Sequence, residues 1–267
     1  MTPARLHHRI EGSGRRLLIL HPVGLDLTFF DPVAAILGRD HRVLRVDLRG
    51  HGRSPAAPPG TSLDDYVLDV HRLVEEQAFA PTAVLGVSFG GMIAQLLAVQ
   101  HPGDVDALVA CACPCAIPPE GRAVTEGRAA AAERGGMEAV LDATMERWFT
   151  EPFRARGGAA PTRARLLSDD VASWAAAWRA IATLDVAPRL HEIRVPTLCV
   201  AGEHDRAAPP EVLASIAERI PGARTVVMSG APHMLTIEQP EAFATLVRGF
   251  LREAGSASGT RADAPGG

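Results

Sequence analysis

The sequence predicts an α/β protein in which a mostly parallel sheet is covered by helices on both faces. Short apolar runs of strand length alternate along the chain with segments of helical periodicity, which is the pattern of such a sheet. The runs are bounded by loops rich in Gly and Pro. The 267 residues are 47% hydrophobic and 22% charged, which is ordinary for a globular chain able to bury a full core.

Six buried strands are predicted from the apolar runs. Because both faces of a parallel sheet are covered, its strands are continuously apolar rather than alternating. The first strand ends in a loop that begins at His21, and the second runs into a Gly-rich turn over 48–54. In chain order the predicted strands are 17–20, 43–47, 82–87, 107–112, 196–201 and 224–228.

Helices are predicted between these strands. Apolar residues at helical spacing indicate a helix over 62–77, with Ser62 as its N-cap. A second helix over 90–100 ends at His101-Pro102, because proline cannot continue a helix. A third lies between the last two strands, and a final one covers 241–252.

One segment interrupts the alternation. Residues 117–190 contain no convincing strand and are rich in Ala, Arg, Met and Trp, so several helices are expected there as a cap or lid. The core is then formed by residues 1–116 and 191–253. Residues 254–267 have no apolar face and are predicted to be a disordered tail.

Composition and charge exclude several classes of function. A net charge of −4 argues against nucleic-acid binding through a basic field. The chain contains no Lys, which rules out a Schiff-base lysine or a P-loop lysine. No apolar run approaches the ~20 residues of a membrane span, and the N-terminal residues lack the apolar segment of a secretory signal.

The four cysteines show no zinc-ligand spacing and are expected to be reduced and buried in a cytoplasmic protein. The histidines show no metal-ligand spacing either. No metal site is therefore expected from these residues.

Ser88 is the candidate nucleophile. It is the centre of Gly86-Val87-Ser88-Phe89-Gly90, a G-x-S-x-G sequence between a predicted strand and a predicted helix. A sharp strand-to-helix turn exposes a serine hydroxyl, and the flanking glycines avoid collisions across that turn. The simpler interpretation, a serine N-cap in a Gly-rich turn, is less favoured in this context.

A serine hydroxyl needs a base, and His233 is the candidate because it follows the last predicted strand. Asp205 follows the fifth strand and is the candidate that orients the imidazole. Taken alone, the two residues are typical of a surface loop and a turn. Their order along the chain, Ser then Asp then His, favours a catalytic triad.

Acyl transfer also requires hydrogen-bond donors for the developing oxyanion. The backbone N–H of Phe89 is one candidate. The second is expected in the loop after the first strand, where Val23 is chosen because Pro22 has no N–H. His21 in the same loop is interpreted as an anchor of the loop.

The inserted segment supplies candidate substrate contacts. Trp148 is predicted to bind substrate, whereas Trp174 and Trp178 share one helical face and are typical of a core. Arg147 and Arg179 are the candidates for holding an anionic substrate. For both, a solvated helix face is the favoured interpretation, since most arginines are exposed.

Taken together, the chain resembles the α/β-hydrolase-fold enzymes over residues 5–252, and among them the 3-oxoadipate enol-lactonases. The D-x-R-G-H-G-x-S turn and the Q-P-E-x-F segment are widespread in the superfamily, and the Arg-Trp-Phe sequence is narrower. The stretches that carry the resemblance are His21–Leu27, Asp47–Ser54, Met145–Thr150 and Glu238–Phe243.

The resemblance implies a serine hydrolase that cleaves a small ester or lactone through an acyl-enzyme, as a monomer or homodimer without cofactor. Alternatives with the same triad are a perhydrolase-type haloperoxidase, a carbon–carbon bond hydrolase and a thioesterase. A small-molecule receptor with slow turnover and a non-catalytic scaffold are further alternatives. Epoxide hydrolases and haloalkane dehalogenases are disfavoured, because they need Asp where Ser88 stands.

Overall fold

A seven-stranded sheet forms the centre of the computed structural model, which describes the backbone of residues 2–262 and the side chains of residues 2–256. The strands lie in the order β1-β3-β2-β4-β5-β6-β7. They are β1 His8–Glu11, β2 Arg15–Leu20, β3 His41–Val46, β4 Thr82–Val87, β5 Val105–Cys111, β6 Thr197–Gly202 and β7 Arg224–Met228.

The six predicted strands are confirmed to within two residues at each end, as β2 to β7. All of them pair in parallel. Strand β1, which was not predicted, pairs antiparallel with β3 at the edge of the sheet. Its four residues, His-Arg-Ile-Glu, contain one apolar side chain, so no apolar run marks it.

Eleven α-helices surround this sheet in the described residues. Ser62 caps the second helix in a capping box with Asp65, which confirms the predicted N-terminus of that helix. The first helix was not predicted. The helices are α1 Asp31–Leu37, α2 Leu63–Glu76, α3 Phe89–Gln100, α4 Pro119–Gly135, α5 Glu138–Trp148, α6 Glu151–Ala155, α7 Ala160–Leu167, α8 Val171–Ala182, α9 Pro210–Arg219, α10 Leu235–Glu238 and α11 Pro240–Ala262.

The final helix α11 continues well beyond its predicted end at Arg252. The prediction of a disordered tail is therefore wrong for residues 254–262, whose backbone is helical. Val247, Leu251 and Ala254 are buried at helical spacing, so the apolar stripe carries the helix past Arg252. Residues 263–267 of the predicted tail lie outside the described residues.

The sheet separates two hydrophobic clusters. Helices α1 and α11 pack on one face, while α2, α3 and α9 cover the other. Helices α4 to α8, here called the insert, lie between β5 and β6 in the sequence. Their buried side chains belong to the same hydrophobic cluster as those of α2, α3 and α9. That the insert acts as a lid stays a prediction. Among the described helices, none combines the length and the apolar character that crossing a membrane requires.

Candidate active site

The turn between β4 and α3 holds Ser88 in a strained conformation. Its φ of 53° and ψ of −115° lie outside the regions that non-glycine residues prefer, at a typical cost of 1–3 kcal/mol. A Cβ on Gly86 would collide with the carbonyl oxygen of Gly90, and one on Gly90 would collide with that of Leu20. Only glycine fits at these two positions, as expected from the G-x-S-x-G spacing.

Ser88, His233 and Asp205 are joined by hydrogen bonds. The Ser88 Oγ lies 3.1 Å from His233 Nε2, and His233 Nδ1 lies 2.8 Å from Asp205 Oδ2. All three residues are more than 90% buried. The structure thus brings together the three predicted triad residues in a geometry that permits proton transfer from the hydroxyl to the imidazole.

The Asp205 carboxylate is held by its own loop. Its Oδ1 accepts hydrogen bonds from the backbone N–H groups of Ala207 and Ala208, at 2.7 and 2.9 Å. This leaves Oδ2 for His233 Nδ1, which fixes the ring orientation and favours the tautomer with its free lone pair toward Ser88.

The predicted oxyanion donors lie next to Ser88. Phe89 is the first residue of α3, where backbone N–H groups have no acceptor within the helix. Val23 borders the same cavity as Ser88, and among the described residues no group accepts a hydrogen bond from its N–H. That these two N–H groups bind an oxyanion at Ser88 stays a prediction.

His21 anchors the loop that carries Val23. Its Nε2 accepts the N–H of Leu48 at 2.9 Å, and its Nδ1–H donates to the carbonyl of Pro22 at 2.7 Å. Burial lowers the pKa of His21 to about 4, so the ring stays neutral near pH 7 and keeps both bonds.

A narrow cavity of about 60 Å³ lies above Ser88. Core residues form its floor and helices of the insert form its opposite wall. The predicted substrate residue Trp148 is in this wall, with its ring 6.3 Å from that of His233. Trp178 also lines the cavity, whereas Trp174 is buried next to Gly24.

Two arginines of the insert line this cavity, Arg147 on α5 and Arg128 on α4. The interpretation of Arg147 as a solvated helix face is therefore wrong. It is correct for Arg179, which forms two hydrogen bonds with the exposed Glu133 at 2.6 and 2.7 Å. Arg147 faces inward because it follows Val140 and Thr144 at helical spacing, on the buried side of α5.

Arg128 was not predicted from the sequence, because α4 has no strong apolar face. A weaker signal exists in the small residues Thr125, Ala129 and Ala132, which recur at helical spacing and are the buried side of the helix. Arg128 stands beside this stripe, with its guanidinium carbon 4.5 Å from the ring centre of Trp178.

Both guanidinium groups are half-buried, and within the described part of the chain neither forms an ion pair. Burial, together with the nearby charge of Arg147, lowers the pKa of Arg128 to about 10. Burial also lowers the pKa of Arg147, an effect that Asp205 partly opposes. The cavity therefore holds two positive charges that form no ion pair with any described side chain, which favours an anionic ligand.

A possible metal-ligating cluster lies elsewhere. His71, His101 and Asp104 bring potential ligand atoms within 4.8 Å of one another. The two imidazole rings are stacked nearly parallel with centres 3.7 Å apart, so their nitrogen lone pairs do not converge on one point. None of the three residues lines the cavity at Ser88.

A larger polar cleft of about 460 Å³ opens between the core and helices α7 and α8. Asp26, Asp47, Arg53, Arg165 and Asp169 are among its lining residues, and no triad residue borders it. Since Ser88, His233 and their hydrogen bond lie at the smaller cavity, that cavity is the candidate active site.

Known proteins resemble this chain over most of its length. The model described as the alpha/beta hydrolase family matches residues 17–246. The chain is 27% identical over 238 residues to 3-oxoadipate enol-lactonase 1 of Acinetobacter baylyi, which covers 88% of each protein. The resemblance expected from the motifs is thereby confirmed.

Two solved structures support the same relationship. The enol-lactonase from Burkholderia xenovorans LB400 superposes with a TM-score of 0.88 at 33% identity, covering 93% of this chain and 97% of that one. The malate-bound esterase from Thermogutta terrifontis superposes with a TM-score of 0.90 at 26% identity, covering 95% and 96%.

Proposed function

Because the chain belongs to the alpha/beta hydrolase family, we propose that it hydrolyses a small ester or lactone that bears a carboxylate, with Ser88 as nucleophile. The main support is the continuous set of hydrogen bonds from the Ser88 hydroxyl through His233 to Asp205. Relatives named as an enol-lactonase and an esterase support the same class of reaction.

The reaction proceeds in two steps. The Ser88 Oγ attacks the carbonyl carbon while His233 Nε2 takes its proton, and the N–H groups of Val23 and Phe89 bind the oxyanion. His233 then returns the proton to the leaving oxygen as the C–O bond breaks. Water attacks the acyl-enzyme with His233 as base, which releases a carboxylic acid and restores Ser88.

Arg128 and Arg147 are the reason for proposing that the substrate has a carboxylate. Each is charged and unpaired in the described residues and lines the cavity that contains Ser88. A carboxylate accepts paired hydrogen bonds from a guanidinium, and this interaction is stronger away from bulk water. The small cavity favours a short acyl chain.

A matched pair of chromogenic esters tests the proposal. Mono-p-nitrophenyl glutarate and p-nitrophenyl butyrate have similar acyl length, and only the first carries a carboxylate. We expect hydrolysis of both by the purified protein, with kcat/KM at least tenfold higher for the anionic ester. The enol-lactone of 3-oxoadipate, followed by its ultraviolet absorbance, tests whether a lactone is accepted.

Two results would contradict the proposal at different levels. If Ser88→Ala retains the wild-type rate on either ester, then Ser88 is not the nucleophile. If Ser88→Ala is inactive but the wild type prefers the neutral ester, the nucleophile stands and the anionic substrate is wrong. Labelling of Ser88 by a fluorophosphonate, located by mass spectrometry, gives an independent measure of the nucleophile.

A further inference from the structure

We infer that Arg165 on α7 is a positioning residue that holds the Val23 loop, residues 21–27, in place at Ser88 by joining this loop to the insert. The inference rests on the proposed function, because Arg165 acts here through the Val23 N–H as oxyanion donor. Arg165 does not line the cavity at Ser88, so the role inferred for it is indirect.

Arg165 forms hydrogen bonds on both sides of the junction. Its Nε donates to Asp26 Oδ2 at 2.6 Å, on the Val23 loop. Its Nη1 lies 2.9 Å from Asp169 Oδ1 and 2.9 Å from Ser168 Oγ, at the start of the connection to α8. The side chain of Asp169 is only 4% exposed, so this ion pair is not an ordinary surface contact.

Asp26 transmits the contact to the loop backbone. Its Oδ1 accepts the backbone N–H of Thr28 at 2.9 Å, so the side chain is fixed to the chain that follows it. Leu27, which follows Asp26 in the chain, donates its backbone N–H to Asp47 Oδ1 at 2.8 Å. The carboxylate held by Arg165 thus belongs to an ordered segment only three residues from Val23.

Gly24 shows how closely the loop approaches the insert. Its φ of +77° favours glycine, and an added Cβ would collide with Leu166 and lie 2.5 Å from a ring carbon of Trp174. The same Cβ would be 3.1 Å from Asp169 Oδ2. The residue next to Val23 therefore rests directly on the helices that Arg165 and Asp169 connect.

The charges make Arg165 essential to this junction. Burial raises the pKa of Asp169 to about 7, against the opposing effect of Arg165. Burial alone would also raise the pKa of Asp26, but hydrogen bonds from Thr28 and Arg165 hold it below its usual value. Without Arg165, Asp26 loses its charged hydrogen-bond donor and the pKa of Asp169 rises further, so Asp169 takes up a proton near pH 7 and the loop loses its ionic contact with the insert.

The consequence concerns the transition state more than substrate binding. An oxyanion donor gains its strength as negative charge develops on the carbonyl oxygen, so its displacement lowers kcat. Arg128 and Arg147, proposed to hold the substrate carboxylate, lie on other helices and remain in place. KM should therefore change little.

Arg165→Met tests the inference, with Arg163→Met as matched control. Arg163 is on the same helix but pairs at 2.6 Å with the exposed Asp142 and should behave as wild type. We expect Arg165→Met to lower kcat about 10–100-fold, since a shift of ~1 Å in a reacting group can cost 10². KM should stay within about threefold, and Arg165→Lys should restore part of kcat.

A second measurement separates positioning from general damage to the fold. A trifluoromethyl ketone carrying a carboxylate forms an oxyanion adduct with the serine, whereas a simple dicarboxylate only occupies the cavity. Arg165→Met should weaken binding of the ketone by about the factor by which it lowers kcat/KM, and it should leave binding of the dicarboxylate unchanged. If Arg165→Met does not fold, Asp26→Asn can replace it, because it removes the charged partner of Arg165 on the Val23 loop. It should likewise weaken binding of the ketone and leave binding of the dicarboxylate unchanged.

An unchanged kcat in Arg165→Met, or equal weakening of both inhibitors, would overturn the inference. These results leave the proposed function intact as long as Ser88→Ala is inactive. If Ser88→Ala is active, the proposed function fails first, and the role of Arg165 fails with it.

Discussion

The cavity at Ser88 has a core wall, formed by loops at the ends of the sheet strands, and an insert wall, formed by helices α4, α5 and α8. In the core wall Ser88, His233 and Asp205 bond to one another, and Asp205 has further backbone donors. In the insert wall the charged groups of Arg128 and Arg147 have no such partners in the described residues.

This contrast between the two walls indicates a separate role for each of them. Polar groups satisfied by the protein itself can keep one geometry through a reaction cycle, as a catalytic set requires. Half-buried charges without a counterion indicate that their counterion arrives with the ligand. We therefore assign the chemistry to the core wall and the choice of substrate to the insert wall.

The largest effect is expected from the core wall, at the nucleophile. Ser88→Ala should lower kcat by roughly 10⁴–10⁶, because it removes the hydroxyl that His233 would activate to form the acyl-enzyme. The melting temperature should stay within a few degrees, since the change removes one oxygen and creates no large void. Activity above ~1% of wild type in a sequence-verified sample would contradict the assignment.

The next largest effect is expected at Asp205. Asp205→Asn keeps the size of the side chain but favours the wrong imidazole tautomer, and a change of this kind costs about 10⁴ in kcat in serine proteases. We expect a loss of 10³–10⁴ in kcat with KM nearly unchanged, measured with the anionic ester. A loss below tenfold would mean that another group orients His233.

A smaller and selective effect is expected in the insert wall. Arg128→Met and Arg147→Met should each lower kcat/KM for mono-p-nitrophenyl glutarate about 10–100-fold, as one charged hydrogen bond is lost. The neutral butyrate ester should change less than threefold. Arg179→Met, on the exposed side of the insert, is the matched control. Equal losses on both esters would show that these arginines act on structure rather than on substrate charge.

The smallest effect concerns stability in acid and arises beneath the core wall, at His21 and at His51, which is buried in the turn after β3. Burial lowers the pKa of His21 to about 4, and burial together with nearby His21 lowers that of His51 to about 3. Below pH 6.5 the two histidines are therefore protonated in the unfolded chain but not in the folded one. The free energy of unfolding falls as the pH falls toward 4.

Urea unfolding at pH 7 and pH 5 measures this effect. A loss of roughly 1–2 kcal/mol for each of the two histidines is expected by pH 5. The ring signals of His21 and His51 in NMR spectra should also remain those of neutral imidazole down to pH 5. Titration of either ring near pH 6.5 in the folded protein would contradict the prediction.

The core wall was largely predictable from sequence because its signals are local. The strained Ser88 needs glycines at fixed neighbouring positions, and Asp205 and His233 each follow a recognisable strand. The parallel pairing of β4, β6 and β7 through the sheet places the ends of these strands at one edge.

In the insert wall Trp148 was predicted, but the two arginines were not, because their orientation depends on how helices pack over the sheet. Arg147 and Arg179 are alike in sequence, yet one faces the cavity and the other pairs with Glu133. Arg128 is on a helix whose buried side consists of small residues, so no apolar stripe pointed inward. The packing of α4 against α8 places Arg128 over Trp178, and this contact between helices has no signal in the sequence of either helix alone.

Gly24 also limits how this enzyme can be recombined with others. Since its missing side chain leaves room for Leu166 and Trp174, an insert from a relative will fit only if it brings residues of suitable size to that contact. Chimeras that exchange the insert should therefore exchange residues 21–27 with it. The boundary for transplanting substrate specificity then lies inside the core domain, not at the ends of the helical segment.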